Sequence, residues 1–172
     1  MTERKMVRKW FWAWEFEKEE QWLNLMAQQG WLLDSVGFAT YYFVSCEPGT
    51  YAVRLEMRDH DQVYLDFMAE LGAEYVGRMV KWIYFRKRVE DGPFDLYSDL
   101  DSRIGQLDRL GKLLAGCGGA NLLIGIANSF NPVVPIGWVN LLCATVLMYG
   151  LGRIHGKKED RKSTRLNSSH NS

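Results

Sequence analysis

One histidine of the chain has acidic neighbours, since His60 lies between Asp59 and Asp61. An imidazole beside a carboxylate is an arrangement used for metal binding and for acid–base chemistry near neutral pH. Residues adjacent in sequence do not face one another on a helix, however, and these three precede an apolar segment of helical periodicity. We therefore interpret Asp59 or Asp61 as the capping residue of a helix that begins here.

A run of four glutamates is the second candidate for chemistry. It leads into another predicted helix, where negative charge is stabilising, so a solvated helix start is favoured over a metal site. The chain contains no nucleophile elbow, zinc-protease motif, phosphate loop or dinucleotide-binding glycine pattern. The sequence therefore predicts a protein that is not an enzyme, with no cofactor and no metal. The four residues are Glu15, Glu17, Glu19 and Glu20.

Charge is distributed unevenly along the 172 residues, although the formal net charge is zero. Residues 1–112 carry 15 Lys or Arg and 19 Asp or Glu, the next 40 residues carry none, and the last 20 carry 6 and 2. The acidic first part disfavours nucleic-acid binding, and the uncharged stretch excludes an ordinary soluble globule. The chain has three cysteines, Cys46, Cys117 and Cys143, which are scattered along the sequence. We expect each of them to be a small buried hydrophobic residue, and we expect neither disulfides nor a zinc site.

Two segments of the chain resemble each other at an offset of 42 residues. Gln21–Gly30 and Val63–Gly72 share Leu, Met, Ala and Gly at corresponding positions, and the same offset aligns the Tyr-Phe pairs at 42–43 and 84–85 without a gap. Each segment has helical periodicity and ends at a glycine, the residue that most often follows the end of a helix. The chain therefore contains an internal duplication.

Each copy has the pattern of a β-α-β-β unit. In segment 9–16 the indoles of Trp10, Trp12 and Trp14 alternate with other residues, which predicts a first strand with all three on one face. Segment 51–57 alternates in the same way, and a β-hairpin is predicted after each helix. The sequence thus predicts an α+β domain with a mostly antiparallel sheet and two helices packed on one face.

Several linked motifs identify a family that this chain resembles. They are Glu20-Gln21-Trp22-Leu23, Met26-Ala27, Gly30-Trp31, Tyr42-Phe43, Glu47-Pro48-Gly49, Tyr51 with Arg54-Leu55, and Trp82 with Tyr84-Phe85-Arg86-Lys87. Over roughly residues 9–112 the sequence resembles the bacterial family called domain of unknown function 2812. The resemblance implies a protein that is often attached to a membrane and often encoded beside PadR-like transcription regulators. It implies no catalytic residues.

Two apolar runs, 113–130 and 134–152, follow the duplicated segment. Each is close to the minimum of about 18 residues that crosses a hydrocarbon core. Both outer flanks are basic and the loop between is uncharged, which predicts a hairpin in a bacterial inner membrane with the N-terminal domain and the C-terminus in the cytoplasm. The predicted organisation is an α+β domain at 1–90, a linker and amphipathic connector helix at 91–112, the membrane hairpin at 113–152 and a basic tail at 153–172.

The end of the chain is interpreted as an artefact. The stretch DRKSTRLNSSH, from Asp160 to His170, corresponds residue for residue to a translated sequencing-adapter oligonucleotide. The sequence therefore predicts that 160–172 is an artefact, that the true C-terminus is unknown and that the natural chain can continue past about Glu159.

Aromatic residues are dense in the first 90 positions, and two helices of about 15 Å each are too short to cover all those on six strands. An open aromatic face is expected to bind a protein. The duplication leaves open whether that partner is a second copy of the chain, and whether the two halves instead fold over each other and bury every ring. The candidate surface consists of Trp12, Trp14, Tyr41, Phe43, Trp82 and Tyr84.

The sequence therefore predicts a sensor or regulatory protein that is anchored in the lipid bilayer and acts by protein–protein interaction. The family resemblance implies a PadR-like transcription regulator, or a membrane protein encoded beside this one, as the partner. The alternative is a small-molecule-binding or enzymatic domain tethered to the membrane, with its site between sheet and helices.

Overall fold

Six strands and two helices follow one another in the first part of the chain, in the order β-α-β-β repeated twice. The first copy comprises β1 (Arg4–Arg8), α1 (Phe16–Gln28), β2 (Trp31–Gly37) and β3 (Thr40–Ser45). The second comprises β4 (Tyr51–Met57), α2 (Gln62–Glu70), β5 (Ala73–Met79) and β6 (Trp82–Arg88). The structure, a computed structural model, describes residues 3–92, 94, 100–130 and 137–170, without the side chains of 100–103 and 164–170.

Each copy forms its own antiparallel sheet. Sheet A has the strand order β1-β3-β2 and sheet B the order β4-β6-β5. The register shifts between Leu33 and Ser35 in β2, and between Tyr75 and Gly77 in β5, so both sheets are irregular at positions 42 residues apart. The α+β class, the repeated unit and the antiparallel pairing are confirmed.

The first strand lies earlier than predicted. Segment 9–16 forms a loop, a short 3-10 turn at Ala13–Glu15 and the first residue of α1, so its indoles are not on a strand. The reason is the length of the partner strand. Arg8 pairs with Thr40, the first residue of β3, and Lys9 donates its backbone N–H to Ala39 in the adjoining turn, so little of the ladder is left for later residues.

Both helices of the repeat end at the predicted glycines, and α2 begins at the predicted cap, whereas α1 begins at Phe16, within the segment predicted as a strand. Gly30 and Gly72 have φ values of 86° and 79°, in the left-handed region that favours glycine. Asp61 caps α2, because its side chain accepts a hydrogen bond from the backbone N–H of Val63 at 3.1 Å.

Helix α1 lies between the two sheets. Its residues Leu23 and Met26 pack against sheet A and also against Val53, Leu55 and Tyr84 of sheet B. Helix α2 packs on the other face of sheet B through a second apolar cluster. Each helix thus covers one face of its own sheet, and α1 also covers the second sheet. That cluster consists of Tyr64, Leu65, Met68, Ala73, Ile83 and Phe85.

Polar side chains of α1 satisfy the free edge of β4. The side chain of Asn24 accepts a hydrogen bond from the backbone N–H of Val53 and donates to its carbonyl, both at 2.9 Å. Glu20 accepts from the backbone N–H of Leu55 at 2.9 Å. These bonds replace those that a neighbouring strand would make, so the helix closes this sheet edge.

Two long helices, α3 (Leu100–Ser129) and α4 (Gly137–His170), form the second part of the chain. The predicted connector and the first apolar run are therefore one continuous helix, whereas the predicted break at Asn131-Pro132 lies outside the described residues. Residues 104–129 and 137–163 are each long and apolar enough to cross a membrane. The chain divides into two compact units, the α+β unit at Met1–Leu96 and this helical unit at Tyr97–Ser172.

Three glycines at seven-residue intervals mark the contact between α3 and α4. A Cβ added at Gly111 or Gly118 would meet side chains of α4 at 3.6 and 3.1 Å, and one at Gly125 would lie 2.8 Å from Leu141 Cδ2. No atom lies within 4 Å of the corresponding point at Gly116 or Gly119. Close approach of the two helices, which the glycine content predicts, therefore depends on the glycines of one helix face, at 111, 118 and 125.

Removal of the cap on β4 is expected to destabilise the α+β unit. Asn24→Ala leaves both backbone groups of buried Val53 without these partners, which lowers the free energy of unfolding by about 2 kcal/mol or more. Tryptophan fluorescence during thermal unfolding of the detergent-solubilised chain measures this. Gln28→Ala, at an exposed position of the same helix, is the control, and equal effects of the two substitutions would contradict the assignment.

The effect of a glycine-to-alanine substitution in α3 on stability is expected to depend on whether that glycine faces α4. Gly125→Ala places a methyl group against Leu141, including its backbone nitrogen at 3.1 Å, and overpacking of this kind costs about 1–3 kcal/mol. Gly119→Ala meets no neighbour and gains helix propensity, so its stability is unchanged or higher. Circular dichroism of the helices during heating compares the two, and a Gly119→Ala variant that is equally destabilised would exclude the proposed packing.

Candidate interaction surface

Two apolar side chains occupy the tips of the two β-hairpins. Phe38 follows β2 and is 77% exposed, whereas Val80 follows β5 and is 79% exposed. The adjacent Ala39 and Val80 itself have φ values of 49° and 55°. A left-handed backbone is unfavourable for a β-branched residue such as valine. Neither packing nor solubility therefore accounts for Val80 at this tip.

The two hairpin tips lie at the same end of the α+β unit. A Cβ added at Gly77 would lie 3.1 Å from Val36 Cγ2, and three residues earlier on β2 the carbonyl of Leu33 accepts a hydrogen bond from Arg86. Arg86 pairs with Glu74, which lies three residues before Gly77 on β5. Because the contacts follow the same order on both strands, β2 and β5 run in the same direction. Their following turns therefore share one end.

Two tryptophans extend this apolar end. Trp10 packs edge-on against both Trp12 and Phe38, with ring centroids 5.6 Å apart in each case. Trp12 stacks on the buried ring of Trp14 at 5.0 Å. Trp10 is 53% exposed and Trp12 is 43% exposed. We call Trp10, Trp12, Phe38 and Val80 the aromatic surface.

The six residues predicted to form an open face do not lie together on one. Four of them are buried, and only Trp12 is exposed. Trp82 is half-buried, and its ring stacks on that of Phe16 at 4.8 Å. The prediction placed Trp12 and Trp14 on a sheet strand, and it did not anticipate that α1 lies between the sheets. The four buried residues are Trp14, Tyr41, Phe43 and Tyr84.

One glutamate of the acidic run is buried rather than solvated. A single carboxylate oxygen of Glu19 accepts hydrogen bonds from the hydroxyl groups of Tyr41 at 2.7 Å and Tyr84 at 2.6 Å. Tyr41 belongs to sheet A and Tyr84 to sheet B. All three side chains are more than nine-tenths buried. The cluster is closed to a substrate, so we assign it a structural role.

Burial changes the ionisation of this cluster. Desolvation raises the pKa of Glu19 above its ordinary value of 4.5, and the bonds from Tyr84 and Tyr41 oppose that rise. Desolvation, followed by the charge of Glu19, raises the pKa of both tyrosine hydroxyls far above the physiological range. The tyrosines therefore stay protonated and act as donors.

The remaining chemical candidates are dispersed. His60 is exposed at the rim of an open groove of about 590 Å³ beside α2, in edge contact with Tyr75. Cys46 is half-buried, but Cys117 and Cys143 are exposed on the long helices, so the expectation of buried cysteines is wrong for these two. All three thiols are free. Among the described residues, no three His, Cys, Asp or Glu side chains converge in a way that could hold a metal ion.

Loss of one tyrosine hydroxyl is expected to have a pH-dependent effect on stability. Tyr84→Phe removes a bond that favours charged Glu19, at a cost of about 1.5–3 kcal/mol. Because the folded-state pKa of Glu19 is raised, its contribution to stability is largest in acid and declines as the pH rises through that pKa. Because the lost bond favours the charged form of Glu19, the variant should lose more stability as this carboxyl group ionises. Chemical denaturation should therefore show that the difference in free energy of unfolding between the wild-type chain and the variant grows between about pH 4 and pH 8.

A matched control for this variant lies at the equivalent position of the first repeat. Tyr42→Phe alters a ring that is 44% exposed and outside the Glu19 cluster, so its effect is expected to be small and independent of pH. A pH-independent deficit in Tyr84→Phe would contradict the proposed coupling.

Comparisons with known proteins give one match. The family model described as "Protein of unknown function (DUF2812)" matches residues 15–118, which is more than half of the chain. The match begins at α1, includes all later elements of the repeat and ends within α3. No curated protein and no solved structure matches. The chain therefore belongs to the DUF2812 family, whose function is unknown.

Proposed function

We propose that this chain is a membrane-anchored regulatory protein that acts by binding another protein through the aromatic surface. The observation that carries the proposal is the grouping of Trp10, Trp12 and Phe38 at one end of a unit whose other aromatic residues are mostly buried or half-buried. Large aromatic side chains in contact with one another are the anchors that contribute most to protein–protein interfaces.

Backbone geometry supports a binding role for this end. Val80 is 79% exposed and has a left-handed backbone, a combination that costs stability without any packing in return. Strained and exposed apolar residues are concentrated at sites of function. Ordinary surface positions of a stable domain favour glycine, asparagine or aspartate in such a turn.

The two long helices support anchoring in a bilayer. Many of their large apolar side chains are exposed, which is unfavourable in water and favourable in hydrocarbon. Basic residues flank the hairpin on both sides, which favours placing both of its ends on the cytoplasmic side of a bacterial inner membrane. The α+β unit then lies in the cytoplasm. The most exposed of these side chains are Leu123, Trp138 and Leu142, and Phe130, directly after α3, is more exposed still.

The proposed partner is a PadR-like transcription regulator or a membrane protein encoded beside this one. The proposal does not include catalysis. The rival small-molecule function has its best support in the open groove beside α2, which is lined by three acidic residues. Two of these are already engaged, since Arg86 donates to Glu74 and Gln62 donates to Asp66, both at 2.8 Å. A protein partner explains the exposed aromatic surface, which a small ligand bound in this groove does not.

Site-specific photocrosslinking in native membranes tests the proposed function. A benzophenone amino acid in place of Phe38 should give a protein adduct, whereas the same group in place of Phe67 should not. Phe67 is a suitable control because it is 42% exposed, on α2, outside the aromatic surface.

The double substitution Trp10→Ala and Trp12→Ala should reduce the yield of the Phe38 adduct at least tenfold, since the loss of two anchors of about 1–2 kcal/mol each weakens the affinity by a factor of about 30 or more. An equal yield from Phe38 and Phe67, or adducts with lipid alone, would contradict protein binding at this surface. Mass spectrometry of the adduct distinguishes a second copy of the chain from another protein.

A further inference from the structure

Three of the four sheet edges in the described part of the α+β unit are covered. The edge of β4 is closed by Asn24 and Glu20 of α1. The edges of β2 and β5 lie against each other, where Arg86 donates to the carbonyl of Leu33 at 2.9 Å. The fourth edge is that of β1, which among the described strands pairs only with β3. Uncovered edges are where sheets accept a further strand.

The backbone of β1 presents a regular set of groups at this edge. Glu3 and Lys9 form backbone hydrogen bonds with Ser45 and Ala39, on the β3 side. In an antiparallel pair, alternate residues bond inward, so the backbone groups of the even-numbered residues between them point outward. These are three N–H and three C=O groups, of Arg4, Met6 and Arg8.

Charge at the same edge is strongly positive. Four cationic residues occur within six positions, all are exposed, and none forms an ion pair with another described residue. Two of them, Arg4 and Arg8, project with Met6 from the open face of sheet A. The strand leads directly into the aromatic surface at Trp10. The four residues are Arg4, Lys5, Arg8 and Lys9.

We propose that an extended acidic segment of the partner protein adds to β1 as an antiparallel strand. Its backbone pairs with the three outward residues of β1, and its alternating carboxylates lie opposite Arg4 and Arg8. Its amino end reaches the aromatic surface, where an apolar side chain contacts Trp10 and Phe38. This inference rests on the proposed function, because it specifies the chemistry of the segment that the partner presents.

An acidic strand pairs with both the backbone groups and the cationic side chains of β1, whereas an anionic bilayer surface pairs only with the side chains. Lipid head groups neutralise arginine and lysine, but they do not offer the regular alternation of amide donors and carbonyl acceptors that the edge of β1 lacks. A peptide strand supplies both. The two partners therefore differ in whether the backbone of β1 takes part.

Titration with designed peptides tests the proposal on the full chain in detergent. The probe is a fluorescent eight-residue peptide with glutamate at alternate positions, valine between them and phenylalanine at its amino end. We expect saturable binding that weakens as salt is added. The same peptide with lysine in place of glutamate should not bind, and N-methylation of the alternate amides that face β1 should abolish binding.

Variants of β1 separate the backbone from the side chains. Met6→Pro removes one outward N–H while leaving the ladder to β3 intact, as proline is tolerated at sheet edges in this orientation. It should weaken peptide binding tenfold or more, whereas Met6→Thr should change it less than twofold. Arg4→Gln with Arg8→Gln should weaken binding about tenfold. Far-ultraviolet circular dichroism verifies that each variant is folded.

Several outcomes overturn the proposal. If N-methylated and unmodified peptides bind equally, the interaction is electrostatic attraction without strand addition. If phosphatidylglycerol vesicles bind at this edge and no peptide does, the cations contact a membrane. If no probe binds, the basic edge serves only to repel other strands. Crosslinking at Phe38 fails or succeeds independently of these results, so the proposed function is tested separately.

Discussion

The buried carboxylate of Glu19 fixes the position of α1 between the two sheets. A carboxyl group removed from water is strongly unfavourable unless donors surround it, and both donors come from the strands on either side, as Tyr41 and Tyr84. The two hydroxyls converge on one oxygen at 2.6 and 2.7 Å. The sheets therefore cannot move apart without leaving a buried polar group unpaired, and the core packs around this contact.

Duplication produced two copies of one unit whose corresponding residues now have different surroundings. At the offset of 42 residues, Glu19 corresponds to Asp61, which caps α2 at the surface, and Asn24 corresponds to the exposed Asp66. Tyr84 of the core corresponds to Tyr42 on the open face of sheet A. Because α1 serves both sheets whereas α2 serves only its own, the polar residues of the first helix became buried and those of the second did not.

This asymmetry also determines where the unit can bind a partner. Sheet B is covered on both faces and its β4 edge is closed, so it offers little backbone or apolar surface. Sheet A has an open face, an uncovered strand and a hairpin tip next to exposed indoles. The surface available for recognition is thus concentrated in the first repeat and in the tip of the second hairpin, at one end of the unit.

The sequence by itself determined the order of the elements and most of their positions, although the first strand lies earlier than predicted. Periodicity and terminal glycines such as Gly30 and Gly72 located both repeat helices, and uncharged runs of sufficient length located the long helices, because these signals depend on neighbouring residues only. Only the tertiary structure decided which aromatic and acidic residues are buried. The burial of Tyr41 and Glu19 depends on a helix that packs between two sheets, and alternation within a strand carries no information about what covers each face.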